Sequence, residues 1–188
     1  MATVVQKLTS LQRPEMSRHL KTLPAEDRRL RFGTYMMDAA LEHYVDRIDF
    51  ARDKVFGIFG RDMSLVGMAH LALDSNRHYA ELGLSVEPAH RGNGYGLTLL
   101  NRAKLSAVTR GYTVLFMHCL AENKIMIHLA RKAGLKLVAE QGEVDAHLKL
   151  EATSHGAVAR EVIEDHIAVA DLLFKQQFQW LFKRPHAA

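Results

Sequence analysis

The chain has 188 residues, 48% of them hydrophobic and 24% charged, which is ordinary for one folded globular domain. Its formal net charge of +4 is small and its basic residues are interspersed with acidic ones, so no nucleic-acid partner is expected. With one cysteine, no signal-peptide pattern and no apolar run of membrane-spanning length, we expect a cytoplasmic protein without a membrane partner. The histidines lack metal-ligand spacing, so no metal is expected.

The first half of the chain predicts a short strand, then helices, then three strands. The first strand lies within residues 2–8, and helical segments begin at Arg13-Pro14, at Pro24 and at Tyr35. The three strands cover residues 54–59, 64–73 and 79–86. Because only short turns separate them, they predict an antiparallel meander, in which Gly67 is a candidate for a bulge.

The second half predicts a helix, a strand, a helix and a closing hairpin. The helices cover residues 97–110 and 123–133, and the strands cover 113–119, 135–139 and 144–150. Residues 113–119 are apolar on both faces, which is typical of a central strand covered on both sides. These elements complete one domain over residues 1–151.

A C-terminal extension, residues 152–188, contains an apolar helical segment at 157–183. Its apolar residues are Val162, Ile163, Ile167, Leu172, Leu173, Phe174, Phe178, Trp180, Leu181 and Phe182. A free solvated helix does not carry so many apolar residues. We expect the segment to pack on its own domain or on a second copy of the chain, and we favour the homodimer contact.

A glycine-rich turn between the strand at 79–86 and the helix at 97–110 is the most informative stretch. Gly92, Gly94 and Gly96 allow positive φ and leave the first N–H groups of the helix accessible. With the helix dipole behind them, such N–H groups bind a phosphate or pyrophosphate, and Arg91 adds a cation. The alternative is a surface turn that only begins a helix.

The spacing of the glycines chooses among the known phosphate-binding loops. A Gly-x-Gly-x-x-Gly fingerprint fails, because its third glycine would fall on Leu97 or Leu99. No Gly-Lys-Ser/Thr sequence is present, which excludes a Walker loop. What remains is Arg-x-x-Gly-x-Gly, formed by Arg91, Gly94 and Gly96.

This motif resembles the acetyl-CoA loop of the GNAT superfamily of N-acetyltransferases. A second motif of that superfamily, Asn-x-x-Ala-x-x-Leu-Tyr-x-Lys-x-Gly-Phe, is matched at Asn123, Leu129, Lys132 and Gly134. The segment 23–32 also resembles bacterial relatives of the protein lysine acetyltransferases. The resemblance implies an α/β (α+β) fold, with a central mixed, mostly antiparallel sheet flanked by helices.

The resemblance also implies roles for particular residues. The cofactor-binding residues would be Leu84, Ser85, Val86, Arg91, Gly92, Asn93, Gly94, Tyr95, Gly96, Leu97, Asn123 and Lys132. Backbone N–H groups around 84–86 would hold the pantetheine arm and the thioester carbonyl, where two strands separate in the family. Glu81 would be the general base and Asn123 would assist near the thioester, with Glu87 as the second candidate for the base.

The sequence departs from the family at Ala130, where many members have a tyrosine that protonates the departing thiolate. A thiol has a pKa near ~8.5, so its anion leaves tolerably well without an acid. His128, beside this position, is a candidate substitute, although a surface histidine is the simpler interpretation. His118 and Cys119 end a strand at the edge of the expected cleft, where one could contact substrate, although a buried structural Cys119 is expected.

The resemblance implies transfer of an acetyl group from acetyl-CoA, as cosubstrate, to a primary amine by direct attack. The acceptor is either a protein lysine or a small-molecule amine. The alternative is a non-catalytic acetyl-CoA sensor that acts on a partner through the C-terminal helices, motivated by Ala130 and by the apolar extension. An acyltransferase for a longer acyl group is a third reading.

Overall fold

Seven strands form one mixed sheet in the computed structural model, which describes residues 3–151 and 155–182. The strands are β1 Gln6–Leu8, β2 Lys54–Phe59, β3 Leu65–Leu73, β4 Tyr79–Val86, β5 Val114–Leu120, β6 Lys136–Glu140 and β7 Glu143–Lys149. Their order is β1-β2-β3-β4-β5-β7-β6, and each neighbouring pair is antiparallel except β4 with β5. The predicted mixed, mostly antiparallel sheet is confirmed.

Six α-helices accompany the sheet within the described residues. They are α1 Arg13–Thr22, α2 Ala25–Phe32, α3 Asp38–Asp46, α4 Tyr95–Thr109, α5 Lys124–Lys132 and α6 His155–Phe182. Helix α3 is shorter than the predicted helix at residues 35–50. A turn follows it, in which the carbonyl of Asp49 accepts hydrogen bonds from the N–H groups of Arg52 and Asp53. Ile48 lies beyond the helix end and still packs in the core beside Leu41.

The helices cover the sheet unequally. On one face α4 packs over β2, β3 and β4, and its Leu99, Leu100 and Ala103 are fully buried there. On the other face α1 and α3 cover the first strands, with Met16 and Leu41 fully buried. Each fully buried side chain of this size stabilises the fold by about 1.5–3 kcal/mol. The two cores fix the position of β4, which leads into the glycine-rich turn.

Strand β5 is central in the sheet but is not covered on both sides, so that expectation is wrong. Leu115 and Met117 are buried toward α4 and α5, whereas Phe116 is half-buried and His118 exposed on the opposite face. The reason is that α1 and α3 pack on the first strands, while α2 reaches β4 and β5 through only a small contact. An open face therefore lies beside the end of β4.

A bulge lies one residue from the predicted Gly67. Ile58 of β2 pairs with Gly67 of β3, but Phe59 pairs with Leu65, so Val66 is the extra residue. The carbonyl of Val66 accepts a hydrogen bond from the N–H of Glu87 at 2.9 Å. The bulge thereby holds the chain where it leaves β4 and enters the turn.

Helix α6 docks on its own domain through a buried arginine. Arg102 of α4 is 3% exposed and pairs with Glu161 at 3.2 Å, with Glu164 at 3.5 Å and with Asp165. Its guanidinium carbon also lies 4.6 Å from the ring centre of Phe56. Helix α6 therefore docks on its own domain, and the described part of this contact includes a buried ionic cluster.

Several of the described apolar side chains of α6 are exposed. Those that the structure describes as exposed are Val158, Val162, Ile163, Ile167, Val169 and Leu173. The side chains of the other predicted residues, Leu172, Phe174, Phe178, Trp180, Leu181 and Phe182, lie outside the described part, as does residue 183. This exposed group is called the α6 apolar surface below.

Candidate active site

A glycine-rich turn carries the chain from β4 into α4. Gly92 and Gly94 have φ values of +79° and +78°, and each would place a Cβ in open space. Gly94 is the N-cap of α4 and has no side chain to bond the first-turn N–H groups, those of Tyr95, Gly96 and Leu97. These N–H groups, with the positive end of the helix dipole, are therefore available to an anion.

The turn forms one end of a cleft of about 310 Å³ that is also walled by β4, α5 and α2. Its apolar lining consists of Leu23, Leu30, Leu84, Val86, Ile125, Met126 and Leu129. The predicted cofactor residues that line it are Leu84, Ser85, Val86, Arg91, Gly92, Gly94, Tyr95, Gly96, Leu97, Asn123 and Lys132. An apolar trough that ends at a phosphate-binding turn suits a pantetheine arm followed by a pyrophosphate.

Arg91 and Asn93 brace the turn. The Arg91 Nε donates to the carbonyl of Val86 at 3.1 Å, and its Nη2 pairs with Asp27 Oδ2 at 2.8 Å. Asn93 does not line the cleft; its Nδ2 donates to the carbonyl of His90 at 3.1 Å. Because Asp27 lines the cleft as well, its carboxylate offsets part of the Arg91 charge at the expected phosphate site.

Asn123 holds two walls of the cleft together. Its Oδ1 accepts from the N–H of Met126 at 3.1 Å and caps α5, while its Nδ2 donates to the carbonyl of Leu30 at 3.2 Å. An amide has two donor hydrogens and two acceptor lone pairs, so one of each remains for a ligand. Lys132, in the last turn of α5, is exposed at the cleft wall.

Strands β4 and β5 separate where they reach the cleft. They pair only from Tyr79–Glu81 to Val114–Phe116. Beyond Glu81, residues 82–86 remain paired with β3 alone, so their backbone groups on the β5 side have no strand partner. Donors that a continuous sheet would use are thus left beside the apolar trough, which is the geometry expected for binding a thioester carbonyl.

The two candidate bases differ in their surroundings. Glu81 is exposed on β4, on the open sheet face. It is not among the residues that line the cleft, and no ion pair within 4.0 Å joins it to the described residues. Glu87 accepts from Thr22 Oγ1 at 3.0 Å and lies 3.7 Å from His19 Nδ1. His19 and then Thr22 hold the pKa of Glu87 below its usual value, although burial opposes this. Glu87 is therefore the poorer proton acceptor.

Ala130, which stands where many family members have a tyrosine, is buried and does not reach the cleft. Ala130 is 1% exposed in the core, whereas the neighbouring His128 is exposed and lines the cleft. His118 lies on the open sheet face, where its hydrogen bond to Asp145 at 2.7 Å raises its pKa. Burial raises the pKa of the Cys119 thiol, as expected of an inert structural cysteine.

Helix α2 supplies residues that the sequence reasoning did not identify. Asp27 and Arg31 both line the cleft, and Arg31 also meets the phenol of Tyr44. In the sequence, the only indication that this region matters for function is the resemblance of segment 23–32 to other acetyltransferases. Which of its charged residues face the cleft depends on how α2 packs on the sheet, and helical periodicity alone does not specify that.

Neither a metal-binding cluster nor a membrane-crossing helix is found in the part of the chain that the structure describes. Residues 3–151 and 155–182 contain no group of three His, Cys, Asp or Glu side chains arranged to hold a metal ion. None of the described helices has both the length and the apolarity that crossing a bilayer requires.

Several solved structures share the fold at low sequence identity. The GNAT domain of PAT from S. lividans superposes with a TM-score of 0.69 at 20% identity, covering 78% of this chain and 89% of that one. The putative acetyltransferase yncA from Salmonella typhimurium, solved with acetyl-CoA, gives 0.62 at 15% identity, covering 82% and 97%. A spermidine N-acetyltransferase SpeG variant from Vibrio cholerae gives 0.59 at 18% identity, covering 78% and 93%.

The sequence matches the model of a protein family, although it matches no single curated protein significantly. The sequence model of the acetyltransferase (GNAT) family matches residues 23–135, more than half of the chain, from the residue after α1 to the residue before β6. Those residues include the glycine-rich turn, the separating strands and the cleft. The chain therefore belongs to the GNAT family of acetyltransferases.

Proposed function

We propose that this acetyltransferase moves an acetyl group from acetyl-CoA to a primary amine that attacks the thioester directly. The observation that carries the proposal is the separation of β4 from β5 beside a cleft that ends at the Gly92–Leu97 turn. One cleft thereby combines an anion site at the turn, an apolar trough and the backbone groups of β4 that β5 does not pair. The acceptor is a protein lysine or a small-molecule amine, and the proposed location is the cytoplasm.

Acetyl-CoA fits the groups that form the cleft. The first-turn N–H groups of α4 and the Arg91 guanidinium would hold the pyrophosphate. Leu84, Met126 and Leu129 would contact the pantetheine arm, and Lys132 lies where an outer phosphate would be reached. Backbone groups of residues 84–86 would bind the thioester oxygen as negative charge develops on it.

Glu81 is the proposed general base. A lysine-type amine has a pKa near ~10.4 and arrives protonated at neutral pH, so it must lose a proton before its nitrogen can attack. The Glu81 carboxylate has no ion-pair partner among the described residues and lies on the face from which an acceptor can approach β4. It would take that proton directly or through one water.

The departing thiolate needs little help in this site. The attack forms the C–N bond, the C–S bond breaks, and the sulfur later takes a proton from solvent. Ala130 donates none, and it lies in the core. His128 is a cleft-lining group that can hold a proton, which makes it the candidate relay for the leaving sulfur. A non-catalytic acetyl-CoA sensor, the alternative function, would bind acetyl-CoA without amine-dependent thiol release.

Gly94→Leu is expected to weaken acetyl-CoA binding about tenfold or more, since a side chain there crowds the anion site. Gly111→Leu is the matched control, because Gly111 has φ +77° and equally open surroundings but lies away from the cleft. Both variants should lose about 1–2 kcal/mol of stability from the left-handed backbone. Titration calorimetry with acetyl-CoA and thermal denaturation measure both effects; equal affinity in the two variants would show that the turn is only structural.

The α6 apolar surface is the proposed homodimer contact. Ile163 and Ile167 are exposed and one helical turn apart. Replacing both with lysine should convert a dimer into a monomer in light scattering, whereas Ala39→Lys, on exposed α3, should not. Point variants are preferable to truncation at residue 151, which would remove the three carboxylates that pair with Arg102 together with the helix that packs on it. A wild-type monomer, or a dimer that survives both lysines, contradicts the proposal.

A further inference from the structure

Arg31 differs from the other arginines around the cleft in having no carboxylate partner. Arg28 pairs with Asp38, Arg29 with Glu26 and Glu122, and Arg91 with Asp27. The described residues offer no carboxylate oxygen within 4.0 Å of Arg31, although it is half-buried and lines the cleft. It makes one hydrogen bond, to the Tyr44 hydroxyl at 3.3 Å, and its guanidinium carbon lies 4.8 Å from the Phe32 ring centre. Most of its five N–H donors therefore remain free.

The guanidinium of Arg31 lies directly against the backbone of β4. A Cβ built on Gly83 would be 1.8 Å from Arg31 Nη2 and 2.2 Å from its guanidinium carbon. The absence of a side chain at Gly83 is thus what admits the cation. Gly83 is two residues beyond Glu81, the last β4 residue paired with β5, so the charge lies at the point where the strands separate.

A chain of hydrogen bonds orients Arg31. Asp53 accepts from His70 Nε2 at 3.2 Å, which leaves Nδ1 of that ring to accept from the Tyr44 hydroxyl at 2.6 Å. The Tyr44 oxygen then accepts from Arg31. Burial lowers the pKa of His70 and raises that of Tyr44, so both links are uncharged at neutral pH. The network holds the guanidinium in place without neutralising it.

The position of this charge does not suit the pyrophosphate. Gly83 precedes Val86, where the turn begins, by three residues, or about 10 Å along a strand. On the same face of β4, Glu81 is about 6–7 Å from Gly83, since alternate residues of a strand share a face. The Glu81 side chain and the Arg31 guanidinium, which has no carboxylate oxygen within 4.0 Å among the described residues, therefore lie on the same face of β4 near the point where the strands separate.

From this arrangement we propose that Arg31 binds a carboxylate of the acceptor, and that the acceptor is a free amino acid rather than a polyamine. The inference rests on the proposed acetyltransferase function and narrows its substrate class. The amine of such an acceptor lies toward Glu81 while its carboxylate forms a two-point contact with the Arg31 guanidinium. A polyamine would instead bring a second positive charge against Arg31.

The test compares amino acids with their decarboxylated amines: lysine with cadaverine, ornithine with putrescine, and phenylalanine with phenethylamine. Acceptor-dependent thiol release should give at least one pair in which the amino acid has about tenfold or greater kcat/KM. Arg31→Gln should bring that ratio close to one, with acetyl-CoA affinity unchanged. Arg18→Gln, which removes an equal charge from an exposed site on α1, should leave the ratio intact.

Gly83→Ala provides a second test that keeps the arginine. The alanine methyl group needs the space of the guanidinium, so the charge is displaced while the backbone, which has no positive φ there, is not strained. The amino-acid preference should fall as in Arg31→Gln, and the double variant should add nothing. If the double variant lost more of the amino-acid preference than either single variant, displacement of Arg31 would not explain the effect of Gly83→Ala.

Other outcomes overturn the inference in distinguishable ways. Equal losses for both members of each pair in Arg31→Gln would assign Arg31 to the thioester oxygen, and weaker acetyl-CoA binding would assign it to the phosphates. Wild-type preference for the decarboxylated amines contradicts the inference outright. If no amine releases thiol, the proposed function fails first. Titration of the same pairs into CoA-saturated protein then decides, because the inference requires the amino acids to bind more tightly.

Discussion

Glu81→Gln is expected to lower kcat/KM by about 10²- to 10⁴-fold at neutral pH, the usual contribution of a general base. Glutamine keeps the size of the side chain but cannot accept the amine proton. The deficit should shrink as the pH approaches the amine pKa near ~10.4, where the acceptor arrives already deprotonated. The measurement is the pH dependence of thiol release for the wild type and the variant.

Glu140→Gln is the control, since Glu140 is an exposed carboxylate on β6, the edge strand. It should leave kcat/KM unchanged, and acetyl-CoA affinity should be the same in both variants. Unchanged kcat/KM in Glu81→Gln would remove this residue from the mechanism. In that case Glu87 is the next candidate despite its lowered pKa, and Glu87→Gln would be compared in the same way.

Arg102→Met is expected to reduce the free energy of unfolding by about 3–5 kcal/mol, the usual cost of removing one partner of a buried ionic cluster. Arg102 is 3% exposed and contacts three carboxylates of α6, which would lose their shared cation. Arg160→Met is the control, because Arg160 is exposed and pairs only with Glu164 of the same helix. Its effect should stay below about 1 kcal/mol in urea denaturation.

The same cluster predicts a loss of stability in acid. Burial opposes ionisation of Glu161, but hydrogen bonds from Thr109, Arg110 and Arg102, together with the charge of Arg110, lower its pKa to about 2. A lowered folded-state pKa stabilises the protein above the unfolded value near ~4.3, and the contribution disappears as the pH falls toward 2. It amounts to about 3 kcal/mol and should be smaller in Arg110→Met, because Arg110 supplies both a hydrogen bond and a charge to Glu161. An equal acid dependence in the two proteins would contradict this role of the cluster.

The order of elements was predictable because each helix and strand has a local signal. Pro14 lies in the first turn of α1, Gly111 and Gly134 follow helices with positive φ, and Gln141-Gly142 forms the closing hairpin turn. The open face of β5 was not predictable in this way. Apolar residues on both sides of a strand indicate burial only if helices cover both sides, and helix placement depends on the whole chain.

The candidate site likewise contains residues that a local sequence motif identifies and residues that only tertiary packing brings together. The glycine-rich turn is contiguous in sequence, so its residues could be identified from spacing, and the structure places all of them but Asn93 along one cleft. Arg31 depends instead on contacts between distant segments. Gly83 and His70 lie on two strands, Tyr44 on a helix and Asp53 in the loop before β2, and only tertiary packing brings them together. The sequence does not show which arginine lacks a carboxylate partner, because ion pairs depend on three-dimensional contacts between distant residues.

The most direct test of the account is titration calorimetry of the full-length wild-type chain with acetyl-CoA. We expect one acetyl-CoA to bind per chain, with an affinity that falls as salt is raised, since the proposed site holds the phosphates with the turn and the Arg91 cation. The absence of measurable binding would contradict the assignment of the Gly92–Leu97 turn and the cleft as the acetyl-CoA site.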